Sequence, residues 1–347
     1  MKIGDREIRA GLPTFIIAEV SANHNQSFDR AVEIIHAAHR AGADAVKLQT
    51  STPDTITLDC DSDIFRIKGT SWDGLTLHEL YKKAFTPWDW QARLKSVIEG
   101  LGMKFFSSPF DASAVDFLEA IGTSAYKVAS SELVDIPLLE RIASTGKSVV
   151  VSTGIATRDE IDEAVAVLRK GGVSGLLLLK CTASYPAPVE EMNLRTIPDM
   201  VARYGVPVGL SDHTMGIEAP VVAVALGACA IEKHLTLARA DGGPDSGFSL
   251  EPAEFAQMVA AVRSAERSLG TVCYEPAPSE SVARQYRRSL FVVENIRAGD
   301  VFTAQNLKSI RPGYGLHTRH LSEIIGRRAK CDVARGTPVS WDLLEDR

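Results

Sequence analysis

Eight times between residues 14 and 269 a short apolar run gives way to an amphipathic stretch of helical spacing. That alternation limits the folds open to this chain more than any other feature. The runs fall at 15–20, 45–48, 104–107, 125–128, 148–152, 175–180, 206–210 and 230–234. Their apolar residues fall side by side rather than alternating with polar ones, as in a parallel strand covered on both faces. Helix signals separate them. Thr157-Arg158-Asp159-Glu160 is a capping box opening a helix that repeats Ile161, Ala164, Val165 and Leu168, and Gly171-Gly172 ends it. Asp135-Ile136-Pro137 opens another, with proline in the first turn, where its missing N–H costs little. Eight such units over about 255 residues predict an α/β fold of the (β/α)8 TIM-barrel type. An open doubly wound sheet needs no eighth strand, and no G-x-G-x-x-G turn follows the first run.

The rhythm changes near Cys273. The expected organisation is a barrel over 1–272, a linker over 273–284 carrying Glu275-Pro276-Ala277-Pro278, and a small module over 285–347. The module contains an apolar run at 289–293, a turn at Arg297-Ala298-Gly299-Asp300, a short helix expected near 303–307, and Arg311-Pro312-Gly313-Tyr314-Gly315. One barrel connection is long: residues 50–86 include Trp72-Asp73-Gly74, and a connection of that size in a barrel is usually functional.

With 45% hydrophobic and 24% charged residues the 347-residue chain can bury a large core. Its net charge of −6 lacks the long-range field of a nucleic-acid binder, so any anionic ligand needs a local cluster of cations. The five cysteines are odd in number and form no C-x-x-C pair, which points to reduced thiols and a cytoplasmic protein. No apolar signal region follows Met1, and the longest apolar stretch, broken by Gly227, is too short to span a bilayer, so no membrane role is expected.

A barrel of this type carries its chemistry at the C-terminal strand ends. Every expected strand ends in polar groups there: Glu19; Lys47 and Gln49; Ser107 and Ser108; Lys127 with Ser130, Ser131 and Glu132; Ser152 and Thr153; Lys180 and Cys181 with Tyr185; Asp212 and His213; Glu232, Lys233 and His234. Some of Lys47, Lys127, Lys180 and Lys233 must face the barrel mouth, where buried ammonium groups need anions. A phosphorylated, carboxylated substrate would supply them, while pairing with a nearby carboxylate is the simpler reading for any one lysine. His213 and His234 end neighbouring strands and could share one divalent metal, with Glu19 and Asp245 near; a structural or general-base role is the equal alternative for either.

These residues resemble the sialic acid synthases, a family of nonulosonic acid synthases, through Ile17-Ala18-Glu19, Asn23-His24, Val46-Lys47-Leu48-Gln49, Ser107-Ser108-Pro109-Phe110, Tyr126-Lys127-Val128-Ala129-Ser130, Ser152-Thr153-Gly154, Gly209-Leu210-Ser211-Asp212-His213-Thr214 and Glu232-Lys233-His234. The C-terminal module resembles the antifreeze-like (SAF, β-clip) domain of the same enzymes. The resemblance implies condensation of phosphoenolpyruvate with an amino-sugar aldehyde. It implies a phosphoenolpyruvate site at Lys47, Ser108, Lys127, Ser130 and Ser152, a manganese or magnesium ion on His213 and His234, and an acid/base at Glu19. Gln49, Glu132, Tyr185 and Asp245 resemble sugar-site residues. It also implies a domain-swapped homodimer in which Arg311 reaches the partner's sugar.

Within the family the likeness is greatest to the pseudaminic acid synthases. It is carried by Trp72-Asp73-Gly74, by Cys181-Thr182-Ala183-Ser184-Tyr185-Pro186-Ala187 and by Gly242-Gly243-Pro244-Asp245-Ser246. Ala183 stands where N-acetylneuraminate synthases typically carry Asn, and the loss of a hydrogen-bonding side chain should change the choice of sugar. N-acetylneuraminate and legionaminic acid synthesis are the alternatives within the family. Outside it stand a Schiff-base aldolase using Lys127 or Lys180 and a non-catalytic SAF-domain binding protein.

Overall fold

In the computed structural model, which describes residues 1–70 and 72–346, the eight apolar runs are eight parallel strands closed into a barrel. They are β1 (Phe15–Glu19), β2 (Ala45–Thr50), β3 (Lys104–Pro109), β4 (Ala125–Val128), β5 (Ser148–Ser152), β6 (Leu176–Cys181), β7 (Val208–Asp212) and β8 (Ala230–His234), in that order around the barrel, with β8 pairing β1. β4, β5 and β8 match the expected bounds. β2, β3, β6 and β7 run further into their polar C-terminal ends, because the ladder joins backbones and ignores side-chain polarity: Gln49 pairs Ser108 and Thr50 pairs Pro109.

Strand alternation then sorts the side chains. Phe15, Ile17, Ala45, Phe106, Ala125, Val150, Leu177, Leu179 and Ala230 fill the lumen, while their alternates pack outward against the helices. Ile3 and Ile8, flanking a short antiparallel pair (Lys2–Ile3 with Arg6–Glu7), close the lumen's apolar lower end. Continuing the same parity upward puts Glu19, Lys47, Gln49, Lys127, Ser152, Glu232 and His234 on the inside. It sends Lys180 and Lys233 outward, where Lys233 is buried on Asp212 and the Thr214 carbonyl.

The helices are capped as their sequences predict. Thr157 accepts from the Glu160 amide while Glu160 returns to Thr157, opening the helix Arg158–Lys170. Asp135 accepts from the Leu138 amide and opens Ile136–Ala143. The long connection after β2 is structured. It carries a pairing of Arg66 with Thr76 and then a helix, Leu77–Ala84, opened by a Thr76/Glu79 capping box.

The chain divides into two compact units, Met1–Gly270 and Thr271–Arg347. The second has its own core around Leu290, Val292, Phe302, Leu307 and Val339 and an antiparallel pair, Ser289–Val292 with Leu307–Ile310. One turn of helix, Ser281–Arg284, lies in the segment expected as linker. The helix expected at 303–307 is a single turn. Thr303 and Asn306 bond each other's amides through their side chains, and Leu307 then enters the strand opposite Val292. All five cysteines are free, and among the described residues no helix is long and apolar enough to cross a membrane.

Gly209 marks the tightest point of the barrel wall. A Cβ there would lie 2.4 Å from the Ala230 carbonyl oxygen and 2.7 Å from Leu179 Cδ2. Because one of those atoms is backbone, Gly209→Ala should cost about 3 kcal/mol, the upper end of ordinary overpacking, read as a lower urea midpoint at unchanged slope.

Candidate active site

The inward residues at the strand tops form a charged floor. Lys47 Nζ lies 2.9 Å from Glu19 Oε2 and 2.9 Å from Glu232 Oε1. Lys127 Nζ lies 3.9 Å from the same Glu232 oxygen and donates to Ser152 Oγ at 2.7 Å and to the Val128 carbonyl at 3.0 Å. Ser211 Oγ adds a 3.2 Å bond to Glu232. All four charged groups are at most 5% exposed. Burial pulls Lys47 down to about 8 against the pull of Glu232. Burial also pushes Glu232 upward, but Lys127 and Lys47 outweigh it and hold the carboxyl well below its usual range.

Several buried polar atoms on and around this floor have no partner: Glu232 Oε2, Ser108 Oγ, Glu132 Oε2 and His234 Nδ1. Each such atom ordinarily costs about 1–3 kcal/mol, so a cluster of them in and beneath one cavity marks a place built for a polar ligand. Above the floor is a cavity of about 330 Å³ lined by Lys47, Gln49, Lys127, Ser130, Glu132, Ser152, Tyr185, His213, His234 and Asp245 among others. The Gly154 amide donates to Ser130 Oγ at 3.1 Å, and a Cβ on Gly154 would stand 2.7 Å from that oxygen. Glycine lets the chain close on the serine there.

The loops supply a second layer. Gln49 Nε2 donates to Glu19 and to Ser21 Oγ, and Ser21 in turn donates to Asp245, which also accepts from the Ala22 amide. Burial raises Asp245 against these bonds. Trp72, Tyr185 and Phe248 pack together over the two histidines.

The His213 and His234 rings stand 5.3 Å apart. His213 Nδ1 faces the Thr182 carbonyl at 3.0 Å, which can only accept, so this nitrogen carries the proton and donates, leaving the Nε2 lone pair free to bind a metal. Burial holds His234 far below its usual range, helped by His213 and Lys47. One imidazole with a fixed tautomer and one held neutral with an orphaned nitrogen suit a divalent metal. No group of three or more His, Cys, Asp or Glu among the described residues offers a complete protein shell, so an ion here would keep water or substrate oxygens.

A profile of the NeuB family matches residues 34–274, and a SAF domain profile matches 287–345. The chain belongs to the NeuB family. It is 41% identical to a pseudaminic acid synthase of Helicobacter pylori over 96% of this chain and 98% of that protein. It is 43% identical to a pseudaminic acid synthase of Campylobacter jejuni over 93% and 94%. A crystal structure of an N-acetylneuraminic acid synthetase from Leptospira borgpetersenii, in complex with citrate, superposes with a TM-score of 0.72 at 33% identity, covering 82% of this chain and 94% of that one.

Set against the sequence expectations for this NeuB-family barrel, the cavity gathers ten of the named residues. Glu19 and Ser108 are buried at the floor rather than on the cavity wall, with Glu19 reached through Lys47 and Gln49. Arg311 is an exposed residue of the second unit. Of the four strand-end lysines only Lys47 and Lys127 face the mouth; Lys180, one residue out of phase, bonds the Cys181 carbonyl and Thr182 outside it. The mouth lysines are met by protein carboxylates. Asn23-His24 is structural: Asn23 ties Leu235 and Ser249, and His24 packs on Trp90 and bonds Thr86. Glu232 and Ser211 were not singled out as site residues, yet the floor centres on Glu232. Strand parity with His234 was the signal that could have found it.

Burial raises Glu132 to about 7 from 4.5. The unfolded chain releases this proton near 4.5 and the folded one near 7, so the carboxyl weakens the fold as pH climbs through that window and by a constant amount above it. Glu132→Gln should therefore match the wild type in stability at about pH 4 and exceed it by about 1–3 kcal/mol at about pH 8, measured by urea unfolding.

Proposed function

We propose that this chain is a pseudaminic acid synthase. It condenses phosphoenolpyruvate with 2,4-diacetamido-2,4,6-trideoxy-L-altrose and water to give pseudaminic acid and phosphate. The observation that carries the reading is the paired-charge floor with orphaned polar atoms at the top of a NeuB-family barrel whose whole length matches proteins of that activity.

Lys47 and Lys127, with Ser108, Ser130 and Ser152, hold the phosphate and carboxylate of phosphoenolpyruvate, acting by preorganised charge rather than by rearrangement. Glu232 spaces the two ammonium groups and keeps one oxygen free inside the cavity. Carbon 3 of phosphoenolpyruvate attacks the sugar aldehyde, water adds at carbon 2, and the tetrahedral phosphohemiketal loses phosphate by C–O cleavage. Glu19 is the proposed acid/base, working through the Lys47–Gln49 contacts with Glu232 beside it. Gln49, Glu132, Tyr185 and Asp245 bind the sugar. His213 and His234 would hold a manganese or magnesium ion, which would supply polarisation of the aldehyde. The outward turn of Lys180 disfavours it as a Schiff-base lysine.

Phosphate release from phosphoenolpyruvate is expected with manganese and the diacetamido sugar, absent with N-acetylmannosamine and lost on chelation. His213→Ala and His234→Ala should each reduce turnover by at least about 10²-fold and abolish the metal's stabilisation in a thermal melt. Release with N-acetylmannosamine instead would overturn the substrate; full activity in either histidine variant would overturn the metal site.

We further propose a cytoplasmic, domain-swapped homodimer built from a barrel over 1–272, a linker over 273–284 and a SAF domain over 285–347, with Arg311 completing the partner's sugar site. The matched SAF segment and the exposure of Arg311 support this reading. Mixing inactive Arg311→Ala and His213→Ala chains and letting them exchange should restore about a quarter of wild-type activity, since half the dimers carry one intact site of two.

A further inference from the structure

The cavity has two chemically different storeys. Its floor is ionic, whereas its rim includes Trp72, Leu80, Phe110, Ile155, Tyr185 and Phe248. Trp72 and Leu80 come from the long connection after β2, and Trp72 is clasped to the opposite rim. Its Nε1 donates to the Pro244 carbonyl at 2.7 Å, and its ring lies 6.0 Å from Tyr185 and 6.4 Å from Phe248. That bond uses the indole's only hydrogen-bonding group. Trp72 therefore presents the cavity with carbon surface alone, and it cannot accept or donate to a sugar hydroxyl.

The reacting aldehyde belongs at the floor, near the histidines and the bound phosphoenolpyruvate. The far end of the acceptor then lies at the rim. A hydroxyl pressed against this wall would lose its water without gaining a partner, while a methyl group would bury apolar surface. Resting on the phosphoenolpyruvate-dependent reading above, we propose that Trp72 is a specificity-determining residue: it selects acceptor sugars whose end remote from the aldehyde is deoxygenated, a C-methyl in place of a hydroxymethyl.

An apolar wall rejects an added hydroxyl only modestly, by up to about 10²-fold. The test compares kcat/KM for 2,4-diacetamido-2,4,6-trideoxy-L-altrose and for its 6-hydroxy analogue in the wild type, Trp72→Phe and Trp72→Ala. The wild type should favour the 6-deoxy sugar by about 10- to 100-fold. Trp72→Phe, which keeps an apolar ring but loses the Pro244 bond, should retain most of that preference. Trp72→Ala should bring it within about threefold through a higher KM for the 6-deoxy sugar, with the KM for phosphoenolpyruvate unchanged. An equal loss on both sugars in Trp72→Ala would make Trp72 a structural roof and overturn the proposal, as would a wild type that prefers the 6-hydroxy analogue. If the wild type uses neither diacetamido sugar, the functional reading fails first and this selectivity falls with it. A working wild type with an unchanged ratio in Trp72→Ala sinks the selectivity alone.

Discussion

Lys47 lies between two carboxylates at the top of a lumen that is dry below it, and much of the site depends on that arrangement. A lone ammonium or carboxylate taken out of water costs several kcal/mol, and removing one partner from a buried pair typically costs about 3–5 kcal/mol. Glu19, Lys47, Glu232 and Lys127 therefore stand or fall together. Their mutual compensation lets two cations remain charged at a place with little water. It also leaves the floor with no large net charge, so an anion bound there would have to be held by directed donors rather than by a diffuse positive field. Among the partnerless atoms, Ser108 Oγ can donate or accept, whereas Glu232 Oε2, as a carboxylate oxygen, can only accept and so suits a hydroxyl or water rather than an anion.

The floor and the rim answer different demands. Floor residues sit on strands, where a ladder bond on either side fixes each Cα. Rim residues sit on loops: Trp72 on the connection after β2, Tyr185 after β6, Asp245 and Phe248 after β8. Bonds between loops, Ser21 to Asp245 and Trp72 to Pro244, give the rim a definite shape without making it part of the barrel. Such a division lets the acceptor sugar change while the reaction is kept.

The histidine pair shows how the two layers meet. His213 follows β7 and is oriented by the carbonyl of Thr182 from the loop after β6, so its tautomer is set by a neighbouring connection. His234 belongs to β8 itself, directly in register with Glu19 on β1, and burial keeps it neutral. Two histidines with oxygen-rich surroundings suit a hard divalent ion that retains exchangeable positions for substrate.

The amino-acid sequence by itself determined the number, order and approximate ends of the barrel strands. Eight mainly apolar runs of four to six residues, spaced by capped helices, can bury both faces in a parallel sheet, and their number favours closure over an open doubly wound sheet. It also marked which end carries the chemistry, since polar residues cluster where each run stops. Only the tertiary structure decided which of those residues share the mouth. Lys180 and Lys47 look alike along the chain, but one residue of phase turns the first outward and the second into the lumen, and phase is set by the register of a barrel that closes over more than two hundred residues. Glu232 stayed inconspicuous for the same reason. Its importance lies in two lysines far away in sequence, and the charge it carries is meaningful only in the dry space those strands jointly enclose.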